Sequence, residues 1–425
     1  MTFSNFGRAT FSVCAAAVMV SGCGGSGGAP LGPSATAVGA ERVQVSSGYA
    51  VIYLFKGPPK GADGPAAGLT NVNGTFYGTT TGGGSRREGT VFRLTASGQE
   101  TGLHGFAGAP NDGSAPQASL LNVKGTLYGT TQYGGAYKKG TVFTITTSGK
   151  ETVLYSFRGG SRDGELPLGA LLDVNGVLYG TTEAGGSVTS CGGGGCGTVF
   201  SITTSGREGV LYKFKANNDG QAPYAGLVNV GGTLYGTTNA GGAHCVSGVA
   251  CGTVFSITTS GNERVLYSFE GAPTDGQNPQ ANLINVNGKL YGTTTGGGGG
   301  ACGGGSQGCG TVFAITPSGT ETVLHSFGNG SDGAVSQAAL LDVNGMLYGT
   351  TVSGGQSGSY GTVFEISTSG KERVVHSFDG GSGAYPQSTL INVEDTLYGT
   401  APLGGNANCF KGFDEGCGLV FSLKR

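Results

Sequence analysis

Tryptophan is absent from this chain of 425 residues, and charged residues, histidine and methionine are scarce. Charged side chains make up 11% of the residues, and the formal net charge is −2. A chain with this balance and no basic run lacks the electrostatic footprint of a nucleic-acid-binding protein, so that class is excluded. After residue 46 no useful stretch shows the 3.6-residue apolar period of an amphipathic helix, which excludes a helical fold.

Glycine, in contrast, is abundant. The 89 glycines are about a fifth of the chain, against an average usage of roughly 7%. They follow no Gly-X-Y period, so a collagen-like structure is excluded. The composition therefore favours a fold with many tight turns.

The N-terminal segment resembles a bacterial lipoprotein signal. Arg8 is the only charged residue before Glu41, and the apolar stretch 11–20 is too short to span a bilayer. The tetrapeptide Val-Ser-Gly-Cys that ends at Cys23 is similar to the bacterial lipobox. The resemblance implies a lipid on the thiol of Cys23. The alternative is an ordinary signal peptide in which this cysteine is incidental.

This interpretation divides the chain into three segments. Residues 1–22 are a lipoprotein signal peptide, residues 23–46 are a lipid-anchored tether, and residues 47–425 are the repeat domain. The tether is rich in Gly, Ser, Ala and Pro, which is typical of a flexible linker. Gly24 after the cysteine implies, by analogy with lipoproteins, delivery to the outer membrane, on its periplasmic or its surface-exposed side. We therefore predict a cell-envelope protein that contacts the membrane through its lipid.

Two short motifs recur seven times along the rest of the chain. Tyr-Gly-Thr-Thr or a near copy begins at Tyr77, Tyr128, Tyr179, Tyr235, Tyr291, Tyr348 and Tyr398. Gly-Thr-Val-Phe, or Gly-Leu-Val-Phe in the last copy, begins at Gly89, Gly140, Gly197, Gly252, Gly310, Gly361 and Gly418. The Tyr-Gly-Thr-Thr motif recurs every 50–57 residues, which is the size of one blade of a kelch-like β-propeller.

Each repeat divides into four short strands bounded by Gly, Asn, Asp or Ser. In the third repeat we predict strands over 170–174, 177–182 and 197–203, preceded in the chain by a strand over 151–157. The dipeptide Asn175-Gly176 joins the first two as a two-residue hairpin turn. The sequence thus predicts an all-β fold.

The two ends of the chain indicate how the repeats close into a ring. The seventh repeat stops at Arg425 after its third strand, and a matching fourth strand stands alone at 51–55. If 51–55 completes the last blade, the ring closes and removes the exposed edges that an open array would leave. We therefore predict a seven-bladed β-propeller of four-stranded blades. The competing linear β-solenoid would need capping repeats instead of complementary ends.

The repeat pattern resembles that of the GloVer tandem-repeat family over residues 51–425. The motifs LYGTT, GTVF and LYSF, with the Gly-Gly and Asp-Gly pairs between them, carry the resemblance. Proteins of this family are exported bacterial proteins whose membrane anchors vary, so the resemblance implies export and a kelch-like propeller. It implies no particular activity. The tryptophan of kelch repeats is missing here.

Eight cysteines form four local pairs, each between a Gly-Gly pair and the strand that follows it. The pairs are Cys191/Cys196, Cys245/Cys251, Cys302/Cys309 and Cys409/Cys417. Even, local pairs in an exported protein favour four disulfides. The alternative is a set of zinc–thiolate sites made by pairs from neighbouring blades.

Two further series of polar residues follow the repeat. Aspartate precedes glycine in the connection after the fourth strand at Asp63, Asp112, Asp163, Asp219, Asp275 and Asp332. These residues predict turns in which the carboxylate bonds to nearby backbone; the alternative is a ring of carboxylates that attracts cations or a basic partner. Asparagine or aspartate recurs in the first strand, either to cap the hairpin turn or to line the central channel.

No set of residues points to catalysis, to a cofactor or to a metal ion. His104, His325 and His376 share one position in the fourth strand that other repeats fill with tyrosine, so packing accounts for them. The G-x-S-x-G match at 304–308 lies in a glycine-rich loop and lacks the strand-to-helix elbow of a hydrolase. We predict no catalytic residue, no cofactor and no metal site.

The connections between strands indicate where a function would lie. The Asn-Gly and Ser-Gly turns share one face, and the second-to-third and fourth-to-first connections share the other, the long-loop face. Our first hypothesis is a monomeric, non-catalytic module that binds an extracellular protein or glycan on the long-loop face. The alternatives are a hydrolase or lyase acting on extracellular polysaccharide, which would need unlike carboxylates at one place, and a purely structural envelope protein.

Overall fold

The computed structural model describes residues 48–58, 61–243, 251–300, 302, 308–328, 331–356, 359–405 and 416–425. Within these ranges the secondary structure is entirely β, with seven antiparallel sheets of four strands. First strands contact those of neighbouring blades and therefore surround the axis, while fourth strands form the outer edges. The sheets are the blades of a seven-bladed β-propeller, which confirms the predicted fold. We number the blades 1–7 in the order of their first strands.

The four strands have nearly the same bounds in every blade. The first strands are Thr70–Val72, Leu121–Val123, Leu172–Val174, Val228–Val230, Ile284–Val286, Leu341–Val343 and Ile391–Val393. The second strands are Thr75–Thr80, Thr126–Thr131, Val177–Thr182, Thr233–Thr238, Lys289–Thr293, Met346–Thr351 and Thr396–Ala401. The third strands are Thr90–Thr95, Thr141–Thr146, Thr198–Thr203, Thr253–Thr258, Thr311–Ile315, Thr362–Ser367 and Leu419–Lys424. The fourth strands are Glu100–Gly105, Glu151–Ser156, Glu208–Lys213, Glu263–Ser268, Glu321–Ser326, Glu372–Ser377 and, for blade 7, Tyr49–Leu54.

Blade 7 is assembled from both ends of the described chain. Tyr49–Leu54 pairs antiparallel with Leu419–Lys424, and Tyr49 lies opposite Leu423. The predicted closing strand over 51–55 is thereby confirmed. It begins two residues earlier than predicted because Tyr49 and the residue after it also pair with the last strand.

The hydrophobic core lies between the blades. Phe200 of blade 3 is fully buried, and Phe157 at the end of blade 2 packs edge-on against it with 5.1 Å between ring centroids. Tyr128 of blade 2 and Leu178 of blade 3 belong to the same cluster. Gly180 is required beside this cluster because a Cβ there would lie 2.6 Å from the Phe200 ring. The Tyr-Gly of the repeated motif therefore belongs to the packing between blades.

The two threonines of the motif connect strands and blades by hydrogen bonds. Thr181 donates to the C=O of Ala225 in the next blade at 2.6 Å. Thr182 and Thr198, on neighbouring strands, bring their hydroxyl oxygens to 2.8 Å. Thr400 makes the bond equivalent to that of Thr181 from blade 7 to blade 1, across 333 positions of sequence. The same motif thus joins the C-terminal strands of blade 7 to blade 1 by a hydrogen bond.

A second layer of β-structure joins the long connections within each blade, and sequence reasoning missed it. Five two-residue ribbons pair Ala62–Asp63 with Gly82–Gly83, Gly113–Ser114 with Tyr133–Gly134, Gly164–Glu165 with Ala184–Gly185, Gly276–Gln277 with Gly296–Gly297, and Gly333–Ala334 with Ser353–Gly354. Blades 4 and 7 have a single bridge in the same place. The ribbons set the Asp-Gly segment of each blade against its Gly-Gly segment.

Candidate functional site

The hairpin turns between the first and second strands lie on the face opposite the long-loop face, and polar side chains of the first strands cap them. The carboxylate of Asp173 accepts the N–H of Gly176 at 2.9 Å. Five other blades have the same bond, with Asn71, Asn122, Asn229, Asn285 or Asp342 as the acceptor. These first-strand residues therefore cap the hairpin turns.

The long-loop face is a continuous layer around the ring. The N–H of Leu166 donates to the C=O of Lys139 in the preceding blade at 2.9 Å, and Ala222 donates to Cys196 at 2.9 Å. Equivalent bonds join the other blades, including Gly64 to Cys417. With the ribbons inside each blade, these bonds tie every long loop to its neighbours on both sides.

Disulfides anchor several of these loops. Cys191–Cys196 and Cys302–Cys309 are bonded, with Cα–Cα distances of 5.3 and 5.4 Å, which confirms two predicted pairs and excludes zinc–thiolate sites there. Cys251 and Cys417 are also disulfide-bonded. Their predicted partners, Cys245 and Cys409, lie outside the described residues, as does Cys23. Cys196 and Cys309 are fully buried in the inter-blade core, so each disulfide fixes a loop to that core.

The six predicted aspartates lie at the interfaces between blades. Asp112 is representative: its carboxylate accepts the N–H groups of Ala107 and Gly113, both at 2.7 Å. These are the contacts of a turn-forming carboxylate. Asp63, Asp112, Asp163 and Asp275 are buried, and Asp219 and Asp332 are half-buried.

Five of the aspartates also contact the aromatic residue of the preceding fourth strand. The hydroxyl of Tyr155 donates to Asp163 at 2.8 Å, and Nε2 of His104 lies 3.1 Å from Asp112. The equivalent pairs are Tyr212–Asp219, Tyr267–Asp275 and His325–Asp332, at 2.8–3.0 Å. Burial disfavours ionisation of Asp112, but the hydrogen bonds from His104 and from the backbone outweigh it and lower the pKa of this carboxyl.

A glutamate of the next blade faces each of these pairs, and sequence reasoning missed it. These five glutamates open the fourth strands at Glu151, Glu208, Glu263, Glu321 and Glu372, whereas Glu100, in the same position of blade 1, accepts a hydrogen bond from Tyr53. Burial first, and then repulsion by the nearby aspartate, raises the pKa of Glu208 and Glu263 to about 7 and that of Glu321 to about 8. The same causes raise the pKa of Glu151 and Glu372. The available signal was the recurrence of Glu at the second position after every Ser-Gly turn.

The interface between blades 6 and 7 departs from this pattern. Ser382 takes the place of the aspartate, and Tyr49 takes the place of the glutamate. The ring of Tyr49 stacks on His376 with 3.9 Å between centroids, and its hydroxyl donates to the C=O of Ser382. Burial lowers the pKa of His376 to about 4. This interface therefore lacks both equivalent carboxylates and keeps a neutral imidazole, although the charge of Asp379, which accepts hydrogen bonds from Ser382, still acts on His376.

A central cavity of about 450 Å³ lies on the axis. Residues at and before the first strands line it, including Leu69, Ser119 and Asn282. Asn282 uses its side-chain oxygen to accept the N–H of Gly226 at 2.6 Å. Because its lining contains no ionisable side chain, the cavity offers no group for acid–base chemistry.

Exposed cations and tyrosines are concentrated on the long-loop face of blades 1–3. We call this set the basic-aromatic patch: Arg86, Arg87, Tyr133, Tyr137, Lys138, Arg158 and Arg162, all exposed. The guanidinium of Arg158 lies over the Tyr137 ring, 5.6 Å from its centroid. Among the described residues only Leu54 joins Tyr133 and Tyr137 as an exposed large hydrophobic side chain.

The acids in the same loops are buried or, like Glu88 and Glu183, half-buried. Glu165 is buried and forms an ion pair with Lys139, and Glu88 accepts a hydrogen bond from Ser114. Asp112 and Asp163 are buried at the interfaces described above. The exposed charge of this sector is therefore positive, although the whole chain is slightly acidic.

The backbone at two patch residues is unfavourable for their side chains. In the six blades where the structure describes it, the residue two positions before the Gly-Thr-Val-Phe motif has a positive φ. Blades 3, 5 and 7 place glycine there, and blade 6 places Ser359, with φ of 69°. Blades 1 and 2 place Arg87 and Lys138 at this position, each with φ of 61°. A non-glycine residue in this region costs about 1 kcal/mol. Strained positions of this kind cluster at functional sites, which directs attention to these two cations.

Comparison with solved structures finds similar chains at low identity. The tricorn protease is 10% identical with a TM-score of 0.42, over 79% of this chain, which spans only 27% of that protein. A luciferin-regenerating enzyme is 14% identical with a TM-score of 0.42, over 75% of this chain and 93% of that one. A gluconolactonase from Xanthomonas campestris is 12% identical with a TM-score of 0.37, over 68% and 82%. No curated protein matches the sequence.

The repeats themselves match a family model. The Gloeobacter/Verrucomicrobia repeat matches residues 41–250 and 187–413, two overlapping stretches that together span the propeller almost entirely. This match confirms the resemblance that the motifs LYGTT and GTVF indicate. The chain belongs to the Gloeobacter/Verrucomicrobia repeat family.

Proposed function

We propose that the propeller is a binding module for an acidic polysaccharide and that the basic-aromatic patch is its binding surface. The observation that carries the proposal is the placement of Arg87 and Lys138. Both occupy left-handed positions that blades 3, 5 and 7 give to glycine and blade 6 gives to Ser359, so the chain keeps two cations there at a cost to its own stability. A ligand with negative charge accounts for that cost.

The chemistry of the patch suits a charged sugar. A guanidinium can bind a carboxylate or sulfate through two parallel hydrogen bonds. The exposed rings of Tyr133 and Tyr137 offer apolar faces against which a sugar ring can pack. Ribbons and inter-blade bonds hold the loops that carry them, so little conformational entropy is lost on binding.

The distribution of carboxylates supports a non-catalytic role. Glycoside hydrolysis uses two unlike carboxyl groups on either side of one bond. The aspartates and glutamates at the blade interfaces instead repeat around the ring. Blade 3 adds two acids that do not repeat, but Glu165 is ion-paired with Lys139 and Glu183 accepts a hydrogen bond from Tyr224.

The proposal includes export and a lipid on Cys23. The apolar stretch 11–20 and the lipobox-like tetrapeptide that ends at Cys23 support it. The described residues include no helix long and apolar enough to cross a membrane. In a bacterium fed labelled palmitate, the chain is expected to incorporate label and to sediment with membranes, and Cys23→Ser is expected to abolish both. Equal labelling of the variant would contradict lipidation at this residue.

The patch is tested with polygalacturonate as the anionic probe and dextran as the neutral one. The full chain is expected to bind polygalacturonate, more weakly as salt rises, and not dextran. R87G/K138G is expected to weaken binding by about tenfold, which is about 1.4 kcal/mol, while its unfolding midpoint stays equal or rises because strain is relieved. Titration calorimetry and thermal unfolding measure the two effects.

The matched control removes the same charge from the opposite face. K150S/R207S changes two exposed cations beside the Ser-Gly turns and is expected to leave binding unchanged. Equal weakening by both variants would mean that net charge alone is responsible. Failure of the folded chain to bind polygalacturonate, or tighter binding to DNA or to an acidic protein, would refute the proposed ligand class.

A further inference from the structure

Two of the blade interfaces bring together three kinds of metal-ligating side chain. His104, Asp112 and Glu151 meet between blades 1 and 2, and their ligand atoms all lie within 4.8 Å of one another. His325, Asp332 and Glu372 form the same arrangement between blades 5 and 6. Imidazole nitrogen and carboxylate oxygen are ligands that zinc accepts in proteins.

The interfaces with tyrosine show what histidine changes. The hydroxyl of Tyr155 donates to Asp163 at 2.8 Å and also interacts with Glu208, so one group bridges both carboxylates. His104 reaches Asp112 at 3.1 Å but interacts with Glu151 only through charge. Oε1 of Glu151 is buried and has no hydrogen-bond partner, and the same holds for Oε1 of Glu208, Glu263 and Glu321 at the tyrosine interfaces. Compared with Tyr155, His104 therefore leaves the two carboxylates without a bridging hydroxyl and adds a metal-binding nitrogen.

The two sites are enclosed but remain reachable. The side chains of His104 and Asp112 are 22% and 12% exposed, and those of His325 and Asp332 are 22% and 9% exposed. An ion can therefore enter from the outer edge of the blades, where the fourth strands lie, and can keep water at a remaining coordination position. At the interface of blades 6 and 7, His376 stands without either carboxylate and offers no such site.

We propose that the interfaces of blades 1 and 2 and of blades 5 and 6 each bind one divalent ion of the zinc class. The ligands are His104, Asp112 and Glu151 in the first, and His325, Asp332 and Glu372 in the second. The ion neutralises the two facing carboxylates in each cluster. Since its ligands come from both blades, it fastens one blade to the next.

The experiment measures zinc stoichiometry on the tag-free, oxidised full chain. After removal of metal with EDTA, equilibrium dialysis against Zn²⁺ and elemental analysis are expected to give two ions per chain. H104Y and H325Y are each expected to leave one, and H104Y/H325Y none. Tyrosine is the residue of the equivalent interfaces in this chain, so these variants are expected to fold. Circular dichroism and the unfolding midpoint without metal verify this.

Two further variants make the result specific. H376Y removes a histidine outside the proposed sites and is expected to keep two ions. Y155H places an imidazole beside Asp163 and Glu208 and is expected to bind a third. Zn²⁺ is expected to raise the unfolding midpoint of the natural chain but not that of H104Y/H325Y. Absence of bound zinc, or two ions retained by H104Y/H325Y, would overturn the proposal.

Discussion

Removal of residues 1–56 is expected to abolish cooperative unfolding of the propeller, whereas removal of residues 1–46 is expected to leave its unfolding midpoint unchanged. The longer deletion removes the outer strand of blade 7, Tyr49–Leu54, and the buried Phe55. Losing a buried aromatic side chain costs about 3–5 kcal/mol. The loss of Tyr49 and Phe55, which are both buried, together with a whole ladder of backbone hydrogen bonds, is comparable to the entire stability of an ordinary domain.

The ring opens at one defined place in this experiment. Leu419–Lys424 becomes an unprotected edge strand, which favours pairing with other chains. Light scattering is therefore expected to report association, and calorimetry a broad transition. A synthetic peptide of residues 48–56 added in trans is expected to restore the sharp transition. If the 1–56 deletion kept the midpoint of the 1–46 deletion, ring closure would contribute nothing to stability.

The free energy of unfolding is expected to fall by several kcal/mol as pH rises from about 5 to 8.5 in the presence of EDTA. The pKa of Glu208, Glu263 and Glu321 is raised to about 7–8, and that of Glu151 and Glu372 is also raised. The folded chain therefore binds more protons than the unfolded chain between the unfolded pKa, about 4.3, and about 8. This stabilisation is complete at the acid end of the window and is lost as the carboxyls ionise beside aspartates.

The size of this effect follows from five partly buried groups. Allowing for solvent screening, each carboxyl contributes about 1 kcal/mol, or about 5 kcal/mol together. His376 acts in the opposite direction between pH 6.5 and 4, since its pKa is lowered to about 4, but it is one group against five. Urea unfolding at a series of pH values measures the slope.

Glutamine substitution provides the control for the pH effect. Glutamine resembles a protonated glutamate but does not ionise, so E208Q and E263Q are each expected to reduce the slope, and E208Q/E263Q/E321Q to reduce it further. A substitution of an exposed acid away from the interfaces, Glu394→Gln, is expected to leave the slope unchanged. A flat profile of the natural chain between pH 5 and 8.5 would contradict protonated interface carboxyls.

The fold was predictable because its signals are local and repeated. The Asn175-Gly176 turn, the alternating strand that follows it and the Ser-Gly turn each depend on a few adjacent residues. The lone strand at 51–55 predicted the ring closure because only the seventh repeat lacked a fourth strand. The first strand of blade 3 is shorter than the predicted 170–174, since Leu171 packs in the inter-blade core instead of pairing with the second strand.

The candidate sites were less predictable because their residues are close only across blades. Asp112 was predicted to form a turn, and the turn is present. Its contact with His104 and the approach of Glu151 could not be predicted, because the three residues lie on three different strands or loops. His104 was interpreted as packing because tyrosine replaces it elsewhere. The structure adds that the tyrosine hydroxyl and the imidazole contact the equivalent aspartate in their blades. Exchanging tyrosine for histidine therefore changes the hydrogen-bonding group as well as the shape of the side chain.

By itself the sequence determined the number of blades, the strands within them, the closing strand and two of the cysteine pairs, because turn chemistry and periodicity act over a few residues. Only the tertiary structure decided that the glutamates face the aspartates of the preceding loop. It also decided that Arg87 and Lys138 have a left-handed backbone conformation. These two cations lie in the same layer of loops as Tyr133 and Tyr137. Residues about 50 positions apart become neighbours there because the blades pack side by side, and burial at those contacts sets which groups keep their protons.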